Sequence, residues 1–245
     1  MDGTVLTLSL FLGATFAAAL VAGLAGFAFG LVAAAVWLHI LTPLQTATLI
    51  VGYGLIVQGY AVWKLRHALS WERLWPFLLG AAPGVALGIF ILRWTNPAYM
   101  RAGIGGVLVL YATYSLARPA LKPARGGTLA DSGAGLLNGV LGGMTGLAGI
   151  VVVIWSGLRG WSKDVQRAVF QPIGVATFAM SAIGFGATGS IAIDSVKLFL
   201  FGLPVLLAGT WLGLKLYGRL DEASFRRIVL ILLLASGVLL IASLI

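Results

Sequence analysis

Cysteine and charge are what this chain lacks. It contains no cysteine, which excludes disulfide bonds, thiolate chemistry and cysteine-ligated metals. Only 9% of its 245 residues are charged and 60% are hydrophobic, whereas about a quarter of the residues in a soluble domain are charged. No Lys, Arg, Asp or Glu occurs between Gly3 and Trp63. The composition therefore indicates a protein that crosses a bilayer several times and leaves no room for a soluble catalytic domain.

Acidic residues are confined to the connections between apolar spans. All seven carboxylates fall in loops or at span ends, so the sequence offers no mid-membrane Asp or Glu for a proton relay. It also has no His-x-x-x-His, Gly-x-Ser-x-Gly or P-loop motif. We therefore expect no enzymatic activity, no metal and no cofactor. The net charge of +9 lies in loops between apolar spans, which is typical of membrane topology and argues against nucleic-acid binding.

Two of the apolar spans are too long for one crossing and contain a ladder of glycines. The spans lie at about 5–38, 42–63, 74–92, 98–117, 129–157, 166–187, 196–217 and 225–245. The first and fifth are short for two full crossings with a turn. We expect each to be either a pair of short helices folded back at the glycines or one broken helix with a lead-in.

The ladders belong to an internal repeat. Gly23, Gly26 and Gly30 are followed 116 residues later by Gly139, Gly142 and Gly146. Gln45 corresponds to Gln166, and Pro83 to Pro204, at a shift of 121. The ordered series predicts two transmembrane repeats, residues 1–117 and 129–245, joined by a basic linker at 118–128. Each repeat would contain one glycine-broken or hairpin span and three transmembrane helices.

The distribution of basic residues favours inversion of the two repeats. If all eight spans cross once, Lys and Arg divide seven against nine between the two sides. If the broken spans return to the side where they began, the division is thirteen against three, as the positive-inside rule requires. This topology places both termini outside the cytoplasm. Because Met1 to Gly3 lacks a basic segment, we expect the first span to be retained.

The glycine ladders are the first candidates for a binding site. An interrupted helix exposes N–H groups that suit an anion, although Gly-x-x-x-Gly can also simply allow helices to pack closely. For Gly84 with Gly88, and Gly209 with Gly213, we favour packing because no polar residue surrounds them. For the ladders we favour binding. The ladder residues expected to bind substrate are Gly26, Gly30, Gly142, Thr145 and Gly146.

Polar residues at the starts of the second and sixth spans extend this candidate site. Amide and hydroxyl groups can donate hydrogen bonds to an oxyanion, so we add Gln45, Thr46, Gln166, Arg167 and Gln171. Gln45 and Gln166 could instead contact lipid headgroups, and Arg167 could only determine topology. Gln171 lies deeper, where an amide needs partners. Gln58, Tyr53 and Thr177 are weaker candidates.

The chain resembles the sulfite exporter TauE/SafE family, also called the toluene-sulfonate uptake permease family. The likeness is carried by residues 23–30, by the run Gly80 to Gly88, and by Gly142 to Gly146 leading to residues 164–168. The ending, Phe225-Arg226-Arg227 before an apolar span, also fits. The resemblance implies an all-α, polytopic transporter of small sulfur-containing anions, such as sulfite or sulfonates, in the inner membrane.

The residues give an independent argument for an anion, since donors and a basic charge accompany the ladders without an intramembrane carboxylate. We expect substrate between the two ladders and alternating access by rocking of the halves. The expected partners are a small anion and the bilayer, and the sequence leaves a homo-oligomer open. The alternative is a non-transporting membrane scaffold or assembly protein.

Overall fold

The chain is helical throughout the part that the structure describes. This computed structural model describes residues 3–25, 28–65, 69–117, 124–216 and 222–242. These ranges contain no strand, so the predicted all-α class is confirmed. Their ten helices are α1 Gly3–Ala25, α2 Phe29–Ile40, α3 Pro43–Leu65, α4 Trp71–Trp94, α5 Pro97–Ala117, α6 Thr128–Thr145, α7 Ile150–Leu158, α8 Lys163–Ala187, α9 Ile193–Leu216 and α10 Glu222–Ala242.

Six of the described helices are long and apolar enough to cross a membrane. They are α1, α3, α4, α5, α8 and α9. A span needs about 20 predominantly apolar residues, and these helices supply 20 to 24 each. The predicted polytopic membrane protein is confirmed, and every apolar span of the sequence falls on one helix or on a pair of helices. How many times the chain crosses, and in which orientation, stays a prediction.

Both over-long spans are broken where the glycine ladders lie, as expected. The first divides into α1 and α2, and the fifth into α6 and α7. In each case the short helix folds back on the long one. An indole N–H near the far end of the short helix donates a hydrogen bond to the long helix. Trp37 Nε1 donates to the carbonyl of Phe11, and Trp155 Nε1 donates to Asp131. Each span is therefore a hairpin, but α1 and α6, with 23 and 18 residues, are longer than the short helices expected.

The order of helices in the first half of the chain recurs in the second. A long helix, a short helix and three further long helices make up α1–α5, and the same order makes up α6–α10. The starts of α2 and α7, at Phe29 and Ile150, lie 121 residues apart, and those of α4 and α9 lie 122 apart. The glycine ladders differ by 116 residues, so Gly30, in the first turn of α2, corresponds in sequence to Gly146, which ends α6.

The helices assemble into two compact units that do not follow the halves of the sequence. Unit 1 comprises Met1–Tyr53, Thr95–Pro119 and Ala192–Ile245, and unit 2 comprises Gly54–Trp94 and Ala120–Ile191. In unit 1, α1 packs on α9, and in unit 2, α6 packs on α4. The first helix of each half therefore packs on the fourth helix of the other half. The division of the sequence into repeats at 1–117 and 129–245, and their inversion, stay predictions.

The core of unit 1 is aromatic. Phe11 stacks on Trp37 with ring centroids 5.1 Å apart, and Tyr53 stacks on Phe199 at 4.8 Å. Phe29 meets both Trp37 and Tyr53 edge-on, at 6.0 and 5.8 Å. The Tyr53 hydroxyl donates to backbone carbonyls of α9, at 2.9 and 3.0 Å. Such aromatic pairs stabilise a core beyond the area that they bury, and here they join α1, α2, α3 and α9.

The core of unit 2 is a contact between the backbones of α4 and α6. Both helices carry glycine at every fourth position along the contact, at 80, 84 and 88 on α4 and at 135, 139 and 143 on α6. A Cβ on any of them would overlap backbone atoms of the facing helix. This is the close packing that Gly-x-x-x-Gly permits in membranes. The packing function expected for Gly84 with Gly88 is confirmed, and Gly139 and Gly143 share it.

Candidate functional site

One buried amide holds the break between α6 and α7. Asn138 of α6 is fully buried. Its Oδ1 accepts the N–H of Gly149 at 2.7 Å, and its Nδ2 donates to Oγ1 of Thr177 at 3.2 Å. The Thr177 hydroxyl gives its own proton to the carbonyl of Ile173, so its oxygen is an acceptor and fixes the orientation of the amide. Asn138 therefore joins the break to α8.

The turn itself uses two glycines and one threonine. Gly146, with φ 75°, ends α6, and Gly149, with φ 97°, precedes α7. Glycine adopts this left-handed conformation without the penalty that a Cβ brings. The Thr145 hydroxyl donates to the carbonyl of Leu141 at 2.7 Å and accepts the N–H of Leu147 at 3.0 Å. Thr145 and Gly146, both predicted to bind substrate, thus shape the break itself.

Helix α7 begins without a side-chain cap. The residue before it is Gly149, and its first turn contains no acidic residue. The first N–H groups of a helix, here those of residues 150–152, have no acceptor within the helix. Ile150 and Val152 are buried, so these groups lie in apolar surroundings. The positive end of a helix that no carboxylate neutralises is complementary to an anion.

Helix α8 forms the other side of this region. The Phe170 carbonyl oxygen lies 3.9 Å from the position that a Cβ on Gly149 would take. Gln171, the next residue along α8, is only 4% exposed. Gly142 also faces α8, because a Cβ there would meet the methyl group of Thr177. The predicted site residues in this region are Gly142, Thr145, Gly146 and Gln171.

The predicted residues at the start of α8 lie further out. Gln166 and Arg167 are half-buried. The Gln166 side chain donates from Nε2 to the carbonyl of Trp161 at 2.7 Å, which ties the start of α8 to the preceding turn. One donor of Gln166 therefore has a local structural partner. That either residue binds substrate stays a prediction.

The remaining predicted residues lie in unit 1. Gly30 is half-buried in the first turn of α2, and Gly26 lies outside the described residues. Gln45 closes a capping box: its Oε1 accepts the N–H and the hydroxyl of Thr42 at 3.1 Å each, and the Thr42 hydroxyl accepts the Gln45 N–H at 3.2 Å. Thr46 is 1% exposed, and its hydroxyl has no hydrogen-bond partner among the described residues.

The first break resembles the second, with one difference. Ala28 precedes α2 in the left-handed conformation, with φ 76°, at the position that Gly149 holds before α7. No side chain caps α2, and its first turn contains no acidic residue. An L-residue with a Cβ pays about 1–2 kcal/mol for this conformation. The first break therefore stores backbone strain that the second avoids.

Comparison with known proteins identifies the family. A sequence model of the family described as Sulfite exporter TauE/SafE matches residues 10–240. The chain belongs to this family. No curated protein and no solved structure gives a significant match. The resemblance drawn from the glycine ladders is therefore confirmed for nearly the whole chain, and TauE/SafE is a family of transporters, in agreement with the non-enzymatic function expected.

The two hairpins of this TauE/SafE protein are closed by different chemistry. In unit 2, Asp131 accepts from Trp155 Nε1 at 2.7 Å and from Arg159 at 2.8 Å. The Arg159 guanidinium also lies 5.2 Å from the centroid of the Trp161 ring. In unit 1, the indole of Trp37 donates to a backbone carbonyl inside the aromatic core. The α6–α7 hairpin thus contains a part-buried ion pair, whereas the α1–α2 hairpin is closed by contacts between aromatic side chains.

Two buried amides of this TauE/SafE protein lie outside the set of residues predicted to bind substrate. Asn138 is not among the residues predicted to bind substrate, although a buried amide before a helix break needs hydrogen-bond partners. Gln58, a weaker candidate in the sequence, is also buried, with 9% of its surface exposed against 4% for Gln171. Among the described residues, no group of three His, Asp or Glu could hold a metal ion.

Proposed function

We propose that this protein is a secondary transporter of small sulfur-containing anions, such as sulfite or sulfonates, across the inner membrane. Membership of a transporter family supports transport in general. The observation that carries the choice of an anion is the start of α7, which has no side-chain cap and no acidic residue in its first turn, and where Ile150 and Val152 are buried. Discontinuous helices with this polarity are how membrane transporters bind anionic groups.

The polar groups around the break suit an oxyanion. Backbone N–H groups at Ile150 to Val152 would donate to its oxygens, and the Gln171 amide lies on the adjoining turn of α8. Asn138 would act as a positioning residue, since its neutral amide accepts the N–H of Gly149. Asp131, a carboxylate of the same hairpin, is already paired with Arg159 and Trp155. A set of hydrogen-bond donors does not favour a cation, which needs acceptors.

The remaining predicted residues are part of the same proposal. We propose that Gly26, Gly30, Gln45 and Thr46 bind substrate at the first break, and that Gln166 and Arg167 attract the anion at the start of α8. Alternating access would come from rocking of one repeat against the other. The two breaks support this proposal because they share one feature. The helix that follows each break, α2 or α7, has no side-chain cap and no acidic residue in its first turn.

Binding by the purified protein tests the proposal first. A ligand of the native state raises the apparent stability, by about 2.7 kcal/mol at a hundredfold excess over Kd. We expect a selective rise in Tm with one or more of sulfite, thiosulfate, taurine and sulfoacetate, and none with chloride. Substitution Gln171→Ala should reduce that shift. Folded protein that responds to no anion in the panel would count against the anion site and favour the alternative, a non-transporting scaffold.

A further inference from the structure

A second deep amide faces the helix that adjoins the break. Gln58 lies in the part of α3 that belongs to unit 2 and is 9% exposed. Its Oε1 is fully buried and has no hydrogen-bond partner among the described residues. Buried polar atoms in native proteins are nearly always paired, so an orphan of this kind needs an explanation. An acceptor in this position is complementary to a ligand that donates.

Glycines on both helices allow α3 and α8 to pack closely around this amide. A Cβ on Gly174 of α8 would overlap Oε1 of Gln58, and a Cβ on Gly54 of α3 would come within 2.6 Å of the Phe178 ring. Position 54 thus faces 178 and position 58 faces 174, so the two helices run antiparallel here. The Gln58 amide lies directly on the backbone of α8 because residue 174 has no side chain.

The face of α8 that receives Gln58 is the face that adjoins α7. Residues four apart on a helix are neighbours on one face, so Phe170 and Gly174 lie together. The Phe170 carbonyl is next to Gly149, the residue before α7, and Gly174 is next to the Gln58 amide. The orphan acceptor and the uncapped helix start therefore adjoin successive turns of one face, and Gln171 lies between them in sequence.

We propose that Gln58 is a specificity-determining residue of the anion site: its Oε1 accepts a hydrogen bond from the substrate. The N–H groups of α7 recognise the anionic oxygens, and Gln58 recognises a donor elsewhere on the same molecule. The site would then prefer sulfonates that carry an O–H or N–H group, such as hydroxysulfonates and aminosulfonates, over sulfonates without one. This inference rests on the proposed function and names the substrate class within it.

A pair of ligands with equal charge and nearly equal size tests the proposal. Isethionate (2-hydroxyethanesulfonate) and propane-1-sulfonate differ by a hydroxyl in place of a methyl group. The wild-type protein in detergent should bind isethionate about tenfold or more tightly, because the methyl group leaves the buried oxygen unpaired. Gln58→Met should bring the ratio of the two dissociation constants close to one. Gly59→Ala, beside it in a position with open space, should keep the wild-type ratio.

A second variant displaces the amide without removing it. Gly174→Ala places a methyl group where Gln58 Oε1 lies, and the flexible side chain must move. It should lose the preference for isethionate, whereas Gly186→Ala, on the same helix with nothing near it, should retain it. Should Gln58→Met fail to fold, the wild-type ratio and Gly174→Ala still decide the matter.

The outcomes separate this inference from the proposed function. Equal binding of both sulfonates by the wild type, or a preference that survives in Gln58→Met, overturns the assignment of Gln58 and leaves an anion transporter standing. Binding of sulfite without binding of either sulfonate has the same meaning. Absence of binding for every sulfur anion from folded protein overturns the proposed function and the inference with it.

Discussion

Replacing Asn138 by Asp tests whether the anion is held at the start of α7. The aspartate has nearly the size of asparagine and keeps an oxygen for the N–H of Gly149, which Oδ1 now accepts at 2.7 Å. Asn138→Ala would instead leave the buried N–H of Gly149 without its acceptor, at a cost of about 1–3 kcal/mol. Asn138→Asp therefore adds a negative charge to the break while retaining the bond that shapes it.

The expected loss of affinity follows from the distance between the two charges. An anion bound to the N–H groups that follow Gly149 would lie about 5 Å from the new carboxylate, and at an effective dielectric constant of about 20 the repulsion is about 3 kcal/mol. Binding should weaken by about a hundredfold. Titration of the purified variant with the preferred anion, followed by Tm, measures this directly.

A matched variant separates a local effect of charge from a general one. Gly133→Asp adds the same charge to α6 at an exposed position with nothing within 4 Å, so it should leave the affinity unchanged. If folded Asn138→Asp binds the anion within about twofold of the wild type, the anion does not lie at the start of α7 and the reasoning is refuted.

Three further substitutions test the fold around the site. Gly139→Ala should destabilise the protein by about 1–2 kcal/mol, because the overlap with α4 outweighs the gain in helix propensity, while Gly133→Ala should stabilise it slightly; unfolding in a denaturing detergent compares them. Asp131→Asn should cost about 1–3 kcal/mol by the same assay, since it breaks a part-buried ion pair, whereas Asp194→Asn, in an exposed pair, should change little. Ala28→Gly should raise stability by up to about 1 kcal/mol, measured as Tm, and a loss would contradict the left-handed conformation at that residue.

The glycine ladders predicted the broken spans because glycine leaves the backbone free where a helix must end. Gly146 and Gly149 show this directly, since both adopt positive φ. The same pattern could not predict the role of each glycine. Gly139 and Gly143 lie against the backbone of α4, Gly142 faces Thr177, and Gly146 ends the helix. Which of these roles a glycine takes depends on the facing helix, which a local sequence pattern does not specify.

Polar residues at helix starts were harder to interpret. Gln45 forms a capping box with Thr42, and the sequence contains the motif Thr-x-x-Gln that is typical of such a box. The roles of Asn138 and Gln58 were harder to predict. Their neighbours Gly149, Thr177 and Gly174 come close only through the packing of the helices. The packing of α1 on α9 and of α4 on α6 was not predicted either. The sequence of one helix does not specify whether its partner belongs to the same repeat.

Flux through purified protein in liposomes tests the central claim most directly. Sulfur-35-labelled sulfite would be followed into liposomes that contain the wild type, Asn138→Asp or no protein. The account predicts uptake with the wild type that unlabelled sulfite or sulfonate suppresses, and uptake close to the protein-free level with Asn138→Asp. Equal uptake by the wild type and Asn138→Asp, or no uptake of any sulfur anion by folded wild-type protein, would contradict it.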